Sequence, residues 1–132
     1  TNLGFYKYNA EGRKQELDET IYAELGLSTP KNPFDAKECI ERGIFAMANE
    51  CTRALDEAKI VDTPHEVDLA MIMGTGFPPF RGGLCKYADS LGAKYIAERL
   101  DFYAKNRSAQ KRLSPSPQLL ARVQGQKTFY TK

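Results

Sequence analysis

Between Asp35 and Lys59, apolar side chains recur with a period that only an α-helix places on one side. Ile40, Ile44, Met47, Cys51, Ala54 and Ala58 follow one another at steps of 4, 3, 4, 3 and 4. That is a helical face, widened by Phe45, Ala48 and Leu55. Asp35 stands where an N-cap is expected. About 25 residues of helix span roughly 37 Å at 1.5 Å per residue. An element of that length implies a central helix with others packed around it, and an all-α helical bundle as the fold class.

The remaining segments read as shorter elements. Gly4-Phe5-Tyr6-Lys7-Tyr8 suits one short strand or an extended segment, and Asn9-Ala10-Glu11-Gly12 a turn. Asp18 to Leu25 holds a short helix ending near Gly26, and the proline-containing stretch from Ser28 to Pro33 reads as a linker. Thr63-Pro64-His65-Glu66 is a capping box with proline at the first helical position. The helix it opens should stop at Gly74. Leu84 to Leu91 makes a short helix closed by Gly92, and another runs from Tyr95 to about Asn106. Residues 107–113 are polar and basic, and Ser114-Pro115-Ser116-Pro117 primes a last helix ending before Gly125. No hairpin signal joins two apolar strand runs.

The formal net charge of +2 conceals an asymmetry. Residues 1–98 carry 11 Lys and Arg against 16 Asp and Glu, whereas residues 99–132 carry 8 against Asp101 alone. The apolar residues interspersed in the basic segment favour its folding back onto the acidic helices over a free binding tail. Lys105, Arg107, Lys111 and Arg112 beside Phe102 and Tyr103 match no nucleic-acid motif, and the acidic remainder would repel phosphate. No run of about 18 apolar residues predicts a transmembrane helix, and the N-terminus shows no signal-peptide pattern. Three cysteines without metal-ligand spacing are expected to be buried, reduced thiols in an intracellular protein. Cys39 and Cys51, about 18 Å apart on one helix, cannot pair with each other.

Two features invite a chemical reading. His65 is the sole histidine. At the second position of a capped helix it fits the helix end better than a general base. The run Gly74-Thr75-Gly76-Phe77-Pro78-Pro79-Phe80-Arg81-Gly82-Gly83 looks phosphate-binding, but it follows a helix, and two prolines remove N–H donors. It reads instead as a rigid reversal anchored by Phe77 and Phe80. Arg81, its one charge, forms either an ion pair with Asp68 or Asp89, or a contact to a partner domain or anionic ligand. Phe77, Pro78, Pro79, Phe80 and Arg81 are therefore the candidate interdomain or ligand-facing residues. No catalytic, cofactor-binding or metal-ligating residue is assigned.

Together these motifs resemble a known family. Glu66-Val67-Asp68-Leu69-Ala70-Met71, the Gly74–Gly83 run and Tyr87-Ala88-Asp89-Ser90-Leu91-Gly92 look like the signature of the second C-terminal helical domain of multifunctional fatty-acid β-oxidation enzymes, the α subunits that carry enoyl-CoA hydratase and L-3-hydroxyacyl-CoA dehydrogenase activities. Met47-Ala48-Asn49-Glu50 is similar to that family's M-x-N-E helix. Gly4-Phe5-Tyr6-Lys7-Tyr8 is like the motif ending the preceding repeat, and Gln118-Leu119-Leu120-Ala121 with Phe129-Tyr130 resembles the mitochondrial-type ending.

The resemblance implies a 6-phosphogluconate dehydrogenase C-terminal-like fold. Residues 1–33 would be an extension from the preceding repeat, and residues 34–132 the helical repeat itself. The NAD-binding Rossmann domain and the catalytic His–Glu pair of that family lie upstream, outside this chain. The first repeat opens its long helix with an Asn-Arg pair whose Asn assists catalysis; Glu41-Arg42 takes that place here, so the role does not carry over. The implied partners are the rest of the parent polypeptide, an acyl-CoA substrate, a thiolase subunit and a second copy in a homodimer. The implied compartment is the cytoplasm in a bacterium or the mitochondrion in a eukaryote. Two other readings stay open: a stand-alone helical dimerisation or interaction module, and an acyl-CoA-binding helical domain that meets CoA phosphates through Arg81 or the basic segment.

Overall fold

Asn9 reverses the chain near its start. Its side-chain oxygen accepts from the backbone N–H of Glu11 and Arg13, at 3.1 and 2.8 Å, and Gly12 supplies the positive φ of the turn. The computed structural model describes residues 4–28, 35–106 and 110–130, with the side chains of 110 and 111 excepted. The chain divides into two units, Thr1–Phe34 and Asp35–Lys132.

In the first unit, β1 (Tyr6–Tyr8) pairs antiparallel with β2 (Lys14–Leu17) through the Asn9 turn. The second strand and the hairpin depart from the sequence expectation of a single strand. Lys14-Gln15-Glu16-Leu17 is exposed throughout, so it shows none of the apolar alternation that marks a half-buried strand. Cross-strand contacts hold it instead: Lys7 to Glu16 at 2.9 Å, and the Lys14 ammonium 3.6 Å from the Tyr6 ring centroid. Helix α1 (Thr20–Glu24) follows, with Asp18 accepting from the Thr20 N–H and hydroxyl. The linker expected up to Pro33 lies, from residue 29 on, outside the described residues.

The second unit is an all-α bundle. Helix α2 (Ala36–Asp56) is capped by Asp35, whose carboxylate accepts from the Glu38 N–H. It ends three residues before the expected Lys59, which takes a positive φ of 45°, and the Ile60 N–H reaches back to the Ala54 carbonyl. The core-facing side of α2 is also turned from the expected one. Its buried residues are Glu41, Phe45, Ala48, Asn49, Cys51 and Thr52, whereas Ile40 is 59% exposed and Ala58 lies beyond the helix in solvent. Polar residues with distant partners displace apolar ones from the interior face.

Helix α3 (Pro64–Thr75) starts at the Thr63 cap, with the Glu66 carboxylate accepting from the Asp62 N–H rather than from that of Thr63. It continues one turn position past the expected stop at Gly74 and closes on Gly76 in the left-handed region. Gly74 sits in the helix with open space beside it. A 3₁₀ turn (Pro79–Arg81) leads to α4 (Leu84–Leu91), α5 (Ala93–Asn106), α6 (Gln110–Leu113) and α7 (Pro117–Gln124). The polar 107–113 stretch thus contains a helical turn whose Leu113 is buried. Helix α2 packs on α4, α5 and α7, α5 on α6 and α7, and α3 on α4. Phe45, Leu84, Ile96, Leu100, Tyr103 and Leu119 fill the centre. The basic segment does fold back: Arg99 reaches Glu41 at 2.7 Å, and Arg122 grips both carboxylate oxygens of Asp56 at 2.8 and 2.9 Å.

Candidate functional site

The loop after α3 is held in place by one buried acid. Asp68, on the inner side of α3, accepts from the Cys85 N–H at 2.6 Å, the Lys86 N–H at 3.2 Å and the Tyr130 hydroxyl at 2.7 Å. It therefore supplies from another helix the N-terminal cap of α4 that Gly83 cannot provide. Gly83 adopts φ +104°, and a Cβ there would stand 2.3 Å from Asp68 Cβ and Cγ. Asp89 accepts from the backbone N–H of Phe129 and Tyr130, at 2.8 and 3.0 Å, which ties down the chain's end.

Both acids thus serve backbone and hydroxyl donors, and among the described residues neither forms an ion pair with Arg81. This corrects one of the two roles expected for that arginine. Its guanidinium lies 5.0 Å from the Tyr87 ring centroid and 5.7 Å from that of Phe80. The aromatic anchoring is also divided. Phe77 is buried against Tyr87, with ring centroids 6.3 Å apart, whereas Phe80 is 83% exposed. Pro78, Pro79, Phe80 and Arg81 form a displayed tip, stiffened by two prolines and pinned at Phe77.

A second cluster went unread in the sequence. Glu41 is buried on α2, and its carboxylate accepts from the Tyr95 hydroxyl at 2.8 Å, Arg99 Nε at 2.7 Å and the Tyr103 hydroxyl at 2.7 Å. Desolvation pushes this carboxyl upward, but the hydrogen bonds from Tyr103, Arg99 and Tyr95 outweigh it and hold the group below the usual glutamate range. Burial, and then the Glu41 hydrogen bond, push the Tyr103 hydroxyl up to about 12. A third cluster joins α2 to α7. Asn49 donates to the Ser114 carbonyl at 3.0 Å and accepts from the Ser116 N–H at 2.8 Å, while the Thr52 and Ser116 hydroxyls are 2.8 Å apart.

These buried groups are saturated by structural partners. His65 packs edge-on against Tyr130, with ring centroids 4.8 Å apart. Cys39 is exposed, against the expected burial, whereas Cys51 and Cys85 are buried side by side; a hydrogen bond with Cys51, burial and Asp68 hold the Cys85 thiol protonated. Among the described residues no group of three or more His, Cys, Asp or Glu side chains could hold a metal, and no helix is long and apolar enough to cross a membrane. Of the basic cluster weighed for nucleic acid, Lys105 pairs with Asp101 at 2.6 Å and Tyr103 is interior, while the side chains of 107 and 111 lie outside the described residues. Several clefts border α2. One of about 400 Å³ is lined by Lys37, Ile40, Glu41, Ile44, Tyr87 and Tyr95. An open groove of about 580 Å³ is lined by Met47, Glu50, Cys51, Ala54, Met71 and Arg112, among others.

The fold defines an all-α bundle domain whose buried acids clamp helices and whose loop at Phe77–Arg81 displays aromatic and cationic side chains. Known proteins specify it further. No family model matches the chain. The α subunit of the fatty acid oxidation complex of Acinetobacter baylyi is 47% identical over 102 residues, which covers 73% of this chain and 14% of that protein. The same subunit of Shewanella loihica is 39% identical over 127 residues, covering 96% of this chain and 17% of the relative. That of Psychrobacter arcticus is 47% identical over 101 residues, covering 72% and 14%. The chain belongs to the fatty acid oxidation complex α-subunit family, in which it corresponds to a small part of a much longer polypeptide.

Proposed function

We propose that this chain is a helical assembly domain of an NAD-dependent L-3-hydroxyacyl-CoA dehydrogenase acting in fatty-acid β-oxidation, and that it has no catalytic activity alone. The observation that carries this reading is Glu41. In the resembling family the first repeat uses an Asn at the matching place to assist catalysis. Here a carboxylate stands there, buried, with both oxygens taken by Tyr95, Arg99 and Tyr103. A group so engaged offers neither an amide nor a free base to a substrate. It ties α2 to α5, which is an architectural task.

On this reading NAD and the acyl-CoA are bound by the parent polypeptide outside these residues, and a thiolase subunit and a second α subunit are its partners. The compartment is the cytoplasm for a bacterial parent and the mitochondrion for a eukaryotic one. The test is to assay the purified 132-residue chain for NAD binding and for 3-hydroxyacyl-CoA oxidation. No saturable NAD binding and no turnover are expected; turnover at ordinary enzymatic rates overturns the proposal.

A further inference from the structure

Two thiols from different helices meet inside the bundle. Cys51 lies on α2 and is 8% exposed, while Cys85, in the first turn of α4, is fully enclosed. The Cys85 thiol donates a hydrogen bond to the Cys51 sulfur. Each is held from elsewhere: Asp68 fixes the Cys85 N–H at 2.6 Å, and Thr52, next to Cys51, meets Ser116 at 2.8 Å. For packing alone, two small apolar side chains would serve as well. Two further features make the pair unequal. Cys51 borders the open groove of about 580 Å³ beside α2, whereas Cys85 does not. The hydrogen bond from Cys85 also draws the Cys51 thiol below its ordinary range, against burial and the charges of Asp68 and Glu50. That same hydrogen bond, then burial, then the Cys51 and Asp68 charges push the Cys85 thiol up.

We propose that Cys51 and Cys85 form a peroxide-sensitive dithiol, in which Cys51 attacks a hydroperoxide and Cys85 resolves the product into a disulfide joining α2 to α4. The thiolate is the attacking form of cysteine, and access decides which one reacts. Cys51 has both the groove and the donated hydrogen bond. With hydrogen peroxide as oxidant, the Cys51 sulfur first attacks one peroxide oxygen. An S–O bond forms, the O–O bond breaks, and the departing hydroxide leaves as water with the thiol's proton. Cys51 is then a sulfenic acid. The Cys85 sulfur next attacks that sulfur. An S–S bond forms, the S–O bond breaks, and the hydroxyl leaves as a second water with the Cys85 proton. The two thiols lose two electrons in total, and one peroxide is reduced to two waters. A resolving thiol already in contact closes the disulfide before the sulfenic acid oxidises further. Cys39 is exposed and stands about 18 Å from Cys51 along the same helix, too far to resolve it. This proposal and the proposed function do not depend on each other.

The test treats the full-length polypeptide carrying these residues with hydrogen peroxide at pH 7, alkylates the remaining thiols and maps tryptic peptides by mass. Trypsin parts the three cysteines into Glu38–Arg42, Gly43–Arg53 and Gly82–Lys86. The expected product is Gly43–Arg53 joined to Gly82–Lys86, less two hydrogens, in about tenfold or greater excess over any link to Glu38–Arg42. Dithiothreitol should reverse it, and unfolding in urea before the peroxide should abolish the preference. A preference that survives unfolding overturns the proposal. So do links through Cys39 in its place, sulfinic or sulfonic acid at Cys51 without the link, and oxidation of Met47 or Met71 of the same groove with both thiols intact. No reaction at a dose that oxidises the unfolded chain also overturns it. Dimedone, which traps sulfenic acid, reads the roles. Cys85→Ser is expected to be labelled at Cys51, and Cys51→Ser to stay unlabelled at Cys85; label on Cys85 overturns the assigned order. Because the link is mapped in the wild-type protein, the test stands even where a serine variant fails to fold.

Discussion

Glu41→Gln probes the ion pair with Arg99 that joins α2 to α5. The substitution keeps the side-chain shape and removes the charge. Three donors converge on the carboxylate within 2.8 Å. A hydrogen bond to a charged group contributes about 1.5–3 kcal/mol, but the three costs do not add. Arg99 has a side chain 31% exposed and can turn to water, which discounts its share. Tyr103, 1% exposed, cannot reach water, and the new amide offers one acceptor oxygen to three donors, so its N–H groups must be taken by a tyrosine hydroxyl turned to accept. The expected net loss is about 2–3 kcal/mol, or roughly 10–20 °C in the thermal midpoint of a unit this size. Urea unfolding at pH 7 measures it. A loss under about 0.5 kcal/mol, the level of an ordinary surface change, would refute the claim that this carboxylate holds the two helices together. Acid adds a second, independent check. The Glu41 carboxyl lies below its usual value in the fold, so the unfolded chain binds a proton more readily there. Its stabilisation is therefore fully present above the ordinary glutamate pKa of about 4.3 and is lost as pH falls through the lowered folded value. The gap between wild type and Glu41→Gln should shrink across that window; a gap unchanged from pH 7 to pH 3 contradicts the assignment.

Gly83→Ala should cost at least about 3 kcal/mol, because strain at positive φ and overpacking act together; the new methyl would meet Asp68 at 2.3 Å and displace the acid that caps α4. Gly74→Ala serves as its contrast: that position is helical and open, so it should be neutral or stabilising by up to about 1 kcal/mol, and calorimetry of the two variants side by side decides the matter. Ser116→Ala removes the α7 cap and leaves the Thr52 hydroxyl short of a partner, an expected loss of about 2 kcal/mol; a thermal midpoint within 2–3 °C of wild type would argue that the α2–α7 cluster is dispensable.

What could be read along the chain was what depends on neighbours a few residues away. Asp35, Thr63 and Ser116 cap their helices as their sequence contexts promised, because a cap needs a donor only two or three residues on. The turn at Asn9 and the stop at Gly92 are local in the same way. The Glu41 cluster was hidden because its partners lie 54, 58 and 62 residues distant. Nothing in the order of residues announces that Tyr95, Arg99 and Tyr103 share a face that meets it. Asp68 and Tyr130, 62 residues apart, were hidden for the same reason. The second strand was missed because both its faces are wet, and pairing there leaves no hydrophobic trace.

Helix α2 shows why the period was legible and the phase was not. Counting apolar residues gives Glu41, Asn49 and Thr52 no interior role, yet each is buried and each is satisfied by a partner from α5 or the start of α7. The apolar stripe is core where Phe45, Ala48 and Cys51 enter the interior and Ile44, Met47 and Leu55 pack on it, while its Ile40 edge is exposed. Inward polar groups add stability only when fully partnered, and the partners of Glu41, Asn49 and Thr52 fix the register of α2 against α5 and α7. The apolar count therefore gives the period of α2 and only coarsely its phase, because a polar residue turns inward for partners that stand far from it along the chain.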